Sequence, residues 1–249
     1  MKKMLISQSM LRDWFGSPSA SPICRQLFYE KYIAGIPFLP SESMKLGLAF
    51  ESKLLGACRG GITYDLPKLK NGVLSKAEAD LDAVVAKARD LFMHLKMEMI
   101  DLQPEWTVDG LIGHPDFVGK CALTDKAIFD IKYTGYSSND RFSPWYDLER
   151  VEKTQAIHYV YINYLLTGEY LPFFFIVFFK DGGVRILDCK LTVTALNAHV
   201  AMIDQFRKDV GQLVPNMPIE TDYNQCVKCP LFTECIVKST IPVVMELVA

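Results

Sequence analysis

The chain has 249 residues and 28.2 kDa, half of the residues hydrophobic and 22% charged. That apolar and aromatic content excludes a solvated coil and is ample for one large core. Lys plus Arg number 27 against 29 Asp plus Glu, and a net charge of −2 argues against a general nucleic-acid coat, although residues 1–60 carry +4 and the remainder −6.

The longest apolar run, Leu171 to Phe179, is nine residues, far short of the roughly 20 that a membrane-spanning helix needs. Met1-Lys2-Lys3 imitates the start of an export signal, but Ser7, Gln8, Ser9 and Arg12 interrupt any apolar stretch behind it. A cytosolic protein with no membrane partner is expected.

Ser7 and Ser9 cap a short helix through Trp14, and a second helix is predicted from Ile23 to Ala34, stopped by Gly35. Leu46, Ala49, Phe50, Lys53 and Leu54 mark a third between Ser43 and Cys58, ended by Gly60-Gly61. Ser75-Lys76-Ala77-Glu78 is a capping box that opens a long helix with the stripe Leu81, Val84, Val85, Ala88, Leu91, Phe92 and Leu95. Strands follow. Trp106 to Val108, an Asp109-Gly110 turn and Leu111 to Val118 read as a hairpin, with Ala127 to Tyr133 as a third strand. A helix from Leu148 to Leu166, strands Leu171–Phe179 and Val184–Cys189, and a helix from Thr194 to Leu213 complete the order, before Pro215 and Pro218. The predicted class is α/β, a mixed sheet with helices on both faces.

Asp116 lies seven residues before Leu123 and Asp130 seven after it. A hairpin folded near Leu123 sets the two carboxylates opposite each other on adjacent antiparallel strands, with Cβ atoms roughly 4.5–5.5 Å apart. Mg²⁺ suits such a pair, because it prefers carboxylate oxygens and retained waters. Lys132 follows Asp130 by two and shares its face, where an ammonium can orient an attacking water. The same three residues could instead be salt bridges on the solvent side of an edge hairpin. Against this, Ile128, Phe129 and Ile131 surround Asp130 with apolar residues, and charge is costly there without a purpose. His114, two before Asp116, could support the site or only hydrogen-bond locally.

Asp116 with Asp130-Ile131-Lys132 resembles the Asp…(Asp/Glu)-x-Lys pattern of the PD-(D/E)XK nuclease superfamily. Gln155-Ala156-Ile157-His158-Tyr159 matches the Gln-x-x-x-Tyr motif of its RecB-like branch, and Gln155 and Tyr159 fall on one helix face. Gly47-Leu48-Ala49-Phe50-Glu51 stands at the family's Gly-x-x-x-His-Glu segment, with Glu51 where histidine is usual, so that the metal preference and the role of Glu51 are open. The resemblance runs from about Ser7 to Cys235. It implies a restriction-endonuclease-like core in a single domain over 1–249, with a helical part at 1–70, the core at 75–213 and a cysteine segment at 214–249. It also implies Mg²⁺ or Mn²⁺ held by Glu51, Asp116, Asp130 and the Ile131 carbonyl, with Lys132, Gln155 and Tyr159 beside it.

Seven cysteines is an odd number, which argues against a disulfide framework. Cys58, Cys121 and Cys189 are isolated and read as small buried hydrophobes. Cys226, Cys229 and Cys235 lie within ten positions and read as soft metal ligands in need of a fourth. CRISPR-associated single-strand exonucleases and AddB-type recombination nucleases, which this chain resembles, pair one cysteine in the first helices with three near the C-terminus around a four-iron four-sulfur cluster. That resemblance assigns Cys24 as the fourth ligand and implies a clasp of the N-terminal helices to the C-terminus. Four thiolates suit zinc as well as iron–sulfur.

The expected function is a divalent-metal-dependent DNA exonuclease acting on single-stranded DNA or duplex ends, with recombination, phage or CRISPR-adaptation proteins as partners. Arg12, Arg25, Lys31 and Lys45 are candidate contacts to the DNA backbone. The rivals are a non-catalytic DNA-end-binding scaffold on the same fold, favoured by Glu51 in place of histidine, and a zinc-clasped interaction protein.

Overall fold

A computed structural model of the chain describes residues 4–17, 20–38, 40–56, 76–211 and 213, together with Cys226, Cys229, Leu231, Thr233 and Cys235. Its helices are α1 (Gln8–Phe15), α2 (Arg25–Phe28), α3 (Glu42–Leu55), α4 (Lys76–His94), α5 (Thr154–Thr167) and α6 (Val193–Val210). Its strands are β1 (Glu98–Leu102), β2 (Trp106–Val108), β3 (Leu111–Gly113), β4 (Phe117–Cys121), β5 (Thr124–Thr134), β6 (Phe173–Phe179) and β7 (Val184–Asp188). Two compact units divide the chain: residues Lys3–Gln8 with Leu39–His199, and Ser9–Phe38 with the residues from Val200 onward. Among the described residues no helix is long and apolar enough to cross a membrane.

The sequence Phe-Phe-Phe-Ile-Val-Phe-Phe of β6 explains the first unit. All seven residues are buried, and a strand apolar on both faces belongs inside a sheet covered on both sides. The sheet order is β1-β4-β5-β6-β7, with β5 and β6 parallel and the other neighbours antiparallel. Phe174, Ile176 and Phe178 join Phe117 and Phe129 on one face, packed on Phe50 of α3 and on Leu81, Val85 and Ala88 of α4. Phe173, Phe175 and Val177 join Val118 and Ile128 on the other, packed on Ala156, Tyr159 and Val160 of α5. The rings of Phe117, Phe129 and Phe174 stack in sequence across three strands, with centroids 4.9 and 5.5 Å apart. Helices thus cover both faces, as expected from the sequence.

Several elements depart from the expectation. The long strand from Leu111 to Val118 is divided at His114-Pro115-Asp116: proline has no N–H for a ladder, and β3 pairs with β2 in a separate two-stranded sheet, with a parallel bridge from Ile6 to Leu111. Their turn is the predicted one, with Asp109 and Gly110 both at positive φ. Strand β1 was not expected, since its apolar residues Met99, Ile100 and Leu102 do not alternate and four of its five side chains are exposed. Gly119 lets it approach β4, because a Cβ there would lie 2.5 Å from the Glu98 carbonyl oxygen. Residues 148–153, expected to begin the helix that runs to Leu166, form turns like the residues before them. Asp140 and Asp147 accept the backbone N–H groups two residues on, of Phe142 and Glu149, which competes with helix.

In the second unit, α2 begins at a Cys24 cap and passes directly into a π-helix, Tyr29–Ile33. Its core joins Trp14, Phe28 and Phe206, with ring centroids 4.9 to 5.8 Å apart. The expected Ser75 cap, the Gly60-Gly61 stop, Cys58 and the Pro215 to Pro218 stretch lie outside the described residues.

Candidate active site

The hairpin between β4 and β5 turns at Ala122-Leu123, one residue from the expected centre. Phe117 faces Phe129 and Val118 faces Ile128, so extending the register by one residue sets Asp116 opposite Asp130. Both carboxylates are buried, Asp116 at 4% and Asp130 at 1% exposure, on the α5 side of the sheet. Two negative charges in so apolar a place require compensation.

The compensation is local and partial. The Lys132 ammonium forms a close ion pair with Asp130 Oδ2, as the spacing of two along β5 requires. Burial works against the charge on Lys132, but Asp130 and Asp116 outweigh it and hold its pKa above the ordinary lysine value. Asp116 Oδ2 accepts the Ile131 N–H at 2.6 Å, tying β4 to β5 through a side chain. Gln155 Nε2 donates to Asp130 Oδ1 at 2.9 Å and to the Tyr159 hydroxyl at 3.2 Å. Tyr159 in turn donates to the His114 carbonyl at 3.1 Å. Six of the sequence-predicted residues (Asp116, Asp130, Ile131, Lys132, Gln155 and Tyr159) are therefore joined in one network. Of His114, it is the carbonyl that participates.

Glu51 is brought toward this network by a residue that sequence reasoning missed. Gln103 donates through Nε2 to Glu51 Oε1 at 2.7 Å, and its backbone N–H donates to the Asp116 carbonyl at 2.8 Å. It sits just after β1 at φ +48, left-handed for a residue that is not glycine, and Pro104 follows. No local sequence pattern signals such a position.

The donor set is hard oxygen, of the kind Mg²⁺ or Mn²⁺ prefers, and Asp130 Oδ2 makes no regular hydrogen bond besides its ion pair. Among the described residues, no three His, Cys, Asp or Glu side chains are gathered closely enough to hold a metal ion between them. Cys24, Cys226, Cys229 and Cys235 are all half-buried. Burial, and then the nearby Cys24 and Cys226 sulfurs, push the Cys229 thiol pKa up. Cys24 Sγ accepts the Leu27 N–H at 3.4 Å. Of the isolated cysteines, Cys189 is buried as expected, and burial pushes its thiol up to about 12, while Cys121 is half-buried.

The candidate DNA-contacting cations are engaged within the fold. Arg25 lies 3.4 Å from the Trp14 ring centroid and donates to the Trp14 carbonyl. Lys31 pairs with Asp13, Arg12 lies 3.6 Å from Asp13, and Lys45 pairs with Glu42.

No family model and no curated protein matches the sequence. The fold is shared with a candidate exonuclease from Eubacterium rectale whose crystal structure aligns at a TM-score of 0.62 and 19% identity. That alignment covers 93% of this chain and 88% of the other. An alkaline exonuclease from Laribacter hongkongensis aligns more loosely, at 0.38 and 11% identity over 83% of this chain and 88% of that one, too loose a likeness to bear on the fold.

Beside the site, His158 and His199 form a buried pair with a 3.1 Å nitrogen-to-nitrogen contact. His158 Nε2 lies 3.0 Å from the Ile112 carbonyl, an acceptor, so that this nitrogen carries the proton and Nδ1 accepts from His199. Burial pushes the His158 pKa down from 6.5 to about 4, outweighing the backbone carbonyls that favour its charged form. Burial and then His158 move His199 in the same direction. Below pH 6.5 the unfolded chain takes up protons that the native pair refuses, so stability is full above 6.5 and falls as pH drops toward 4. The slope is about 1.4 kcal/mol per pH unit for each histidine. Urea midpoints are expected to hold steady from pH 8 to 7 and to fall from 6.5 to 5, and to fall less in His199→Gln. Equal slopes in the two proteins would assign the loss to other groups.

Proposed function

We propose that this chain is a divalent-metal-dependent DNA nuclease, an exonuclease on single-stranded DNA or DNA ends. The observation that carries the reading is the pair of buried carboxylates, Asp116 and Asp130, facing each other beside Lys132 in the middle of an apolar sheet. The fold likeness to the Eubacterium rectale protein supports it.

Asp116, Asp130, the Ile131 carbonyl and Glu51 would hold Mg²⁺ or Mn²⁺. The ion supplies Lewis-acid polarisation of the scissile phosphate and a lowered pKa for water. The chain's own residues do the rest. Lys132, kept protonated by its carboxylate neighbours, orients the attacking water and offsets negative charge that grows on the phosphate oxygens. Gln155 fixes the rotamer of Asp130, and Tyr159 fixes Gln155 against the His114 carbonyl. Gln103 sets Glu51 at a constant distance from the Asp116 backbone. Hydrolysis forms a bond from water oxygen to phosphorus and breaks the phosphorus–ester bond, and the leaving oxygen departs with a proton.

Purified protein incubated with end-labelled single- and double-stranded DNA is expected to produce shortened products with Mg²⁺ or Mn²⁺ and none with EDTA. Asp130→Ala and Lys132→Ala each remove cleavage by at least about a hundredfold, the scale of losing one transition-state contact. Intact but retarded DNA in every condition would select instead the non-catalytic end-binding scaffold, which the glutamate at position 51 favours. Full activity in either variant would remove the hairpin from the mechanism.

In the second unit, Cys24, Cys226, Cys229 and Cys235 are proposed to share a four-iron four-sulfur cluster, with zinc as the alternative occupant. The upward shift that Cys24 and Cys226 impose on Cys229 supports a common site. A clasp joining residue 24 to residue 226 closes a loop of about 200 residues, which the chain-entropy estimate for disulfides values at about 5 kcal/mol. Anaerobically purified protein is expected to be brown and to contain iron and sulfide, and Cys24→Ala to be bleached with a lower Tm. A colourless protein with stoichiometric zinc selects zinc, and unchanged metal and Tm in Cys24→Ala would dismiss the clasp.

A further inference from the structure

The connection from β5 to α5 carries one side chain that the mechanism does not use. Phe142 is 90% exposed, the most exposed of the large hydrophobic residues described. Phenylalanine is ordinarily among the more buried residue types, and seven of the protein's phenylalanines are among its largest fully buried side chains beside two more from the second unit.

The exposure is not that of a slack loop, because the backbone on either side of Phe142 is held. Its own N–H donates to Asp140 Oδ1 at 2.8 Å. The preceding carbonyl, of Arg141, accepts Arg150 Nη1 at 2.7 Å. The following residue, Ser143, is 1% exposed, and its hydroxyl accepts the Trp145 N–H at 3.2 Å. Farther out, the Arg185 guanidinium of β7 donates to the carbonyls of Ser138, Trp145 and Tyr146 and lies over the Tyr146 ring at 4.7 Å. A turn fastened to the sheet by one arginine thus thrusts a phenyl ring into solvent.

The turn is also close to the candidate site. The Trp145 ring packs against Phe175 at 5.3 Å, and the Lys132 ammonium lies 5.8 Å from the same Phe175 ring. Phe175 is the register partner of Asp130. The turn therefore packs against a ring that Lys132 also approaches. Arg141 and Arg150 are exposed on this turn, whereas the carboxylates of Asp140, Asp147 and Glu152 each accept a backbone N–H, of Phe142, Glu149 and Thr154.

We infer that Phe142 is a stacking platform for an unpaired base of single-stranded DNA, with Arg141 beside it for the phosphate. The inference rests on the nuclease reading for its choice of nucleic acid. It also narrows that reading to a strand whose bases are free. Stacking on an aromatic ring is tolerant of base identity, which suits a substrate of any sequence. In a duplex the faces of each base are covered by its neighbours, so a blunt duplex offers such a platform little until its end frays.

The test is fluorescence anisotropy in EDTA, with the full chain, a fluorescein-labelled oligodeoxythymidine and a labelled blunt duplex of equal length. Phe142→Ala is expected to weaken single-strand binding by about tenfold, the scale of losing one stacked base, and to change duplex binding less than twofold. Phe142→Trp is expected to retain single-strand affinity. The Tm of both variants should match the wild type, since the ring is packed against nothing. Equal single-strand affinity in wild type and Phe142→Ala, or an equal loss for both DNA forms, would overturn the inference. Failure of the wild type to bind either DNA would overturn it together with the nuclease reading. Wild-type binding without cleavage in Mg²⁺ or Mn²⁺ would overturn the nuclease reading alone, and the anisotropy ratio would still decide the role of Phe142.

Discussion

Two carboxylates held side by side in the middle of an apolar sheet must be paid for by neighbouring groups, and much of the first unit is arranged around that requirement. Asp116 and Asp130 have almost no access to water. Polar contacts reach them from three elements: Lys132 and the Ile131 N–H from β5, Gln155 from α5, and Gln103 from the end of β1 through the Asp116 backbone. Removing Lys132 leaves a buried carboxylate without its cationic partner, which typically costs several kcal/mol. A single lysine offsets one of the two negative charges. The remaining negative charge is what makes a divalent cation, or the cationic edge of a substrate complex, a fitting occupant.

The strand on which this rests is β6, which carries no functional group of its own. Its seven buried residues serve both faces of the sheet and form the parallel neighbour of β5, with Phe175 beside Asp130 and Val177 beside Lys132. Rigidity in the sheet lets the chemistry occupy one face while the opposite face is filled by a stack of phenylalanine rings against α3 and α4. The same sheet anchors the turn that displays Phe142, through Arg185 of β7. Site and platform thus share one support.

Much of this was legible in the sequence because it follows from period and spacing. The alternation of strand side chains set Lys132 on the face of Asp130, and equal spacing about Leu123 set Asp116 opposite it. The apolar run from Leu171 to Phe179 marked a strand, observed from Phe173. What escaped has physical causes of the opposite kind. Strand β1 is an edge whose apolar residues Met99, Ile100 and Leu102 do not alternate, and so offers no strand period to read. Gln103 acts through a left-handed backbone and a long-range hydrogen bond, neither of which leaves a local signature. Residues 148–153 were read as the start of a helix, whereas Asp147 accepts the Glu149 N–H, a turn contact that competes with helix. The role given to Glu51 and the pairing of Cys24 with the C-terminal cysteines came from family resemblance, since no spacing links residues so distant in the chain.

The central claim is that the buried carboxylate pair is a binding site for a hard divalent cation. Titration calorimetry of Mn²⁺ into the metal-free site, without DNA, tests it most directly, and soft thiolates elsewhere in the chain do not favour that ion. Saturable binding by the wild type is predicted, lost in Asp116→Asn and Asp130→Asn while both variants retain a cooperative melting transition. Saturable binding that persists unchanged in both variants, or its absence from the wild type, would contradict the account.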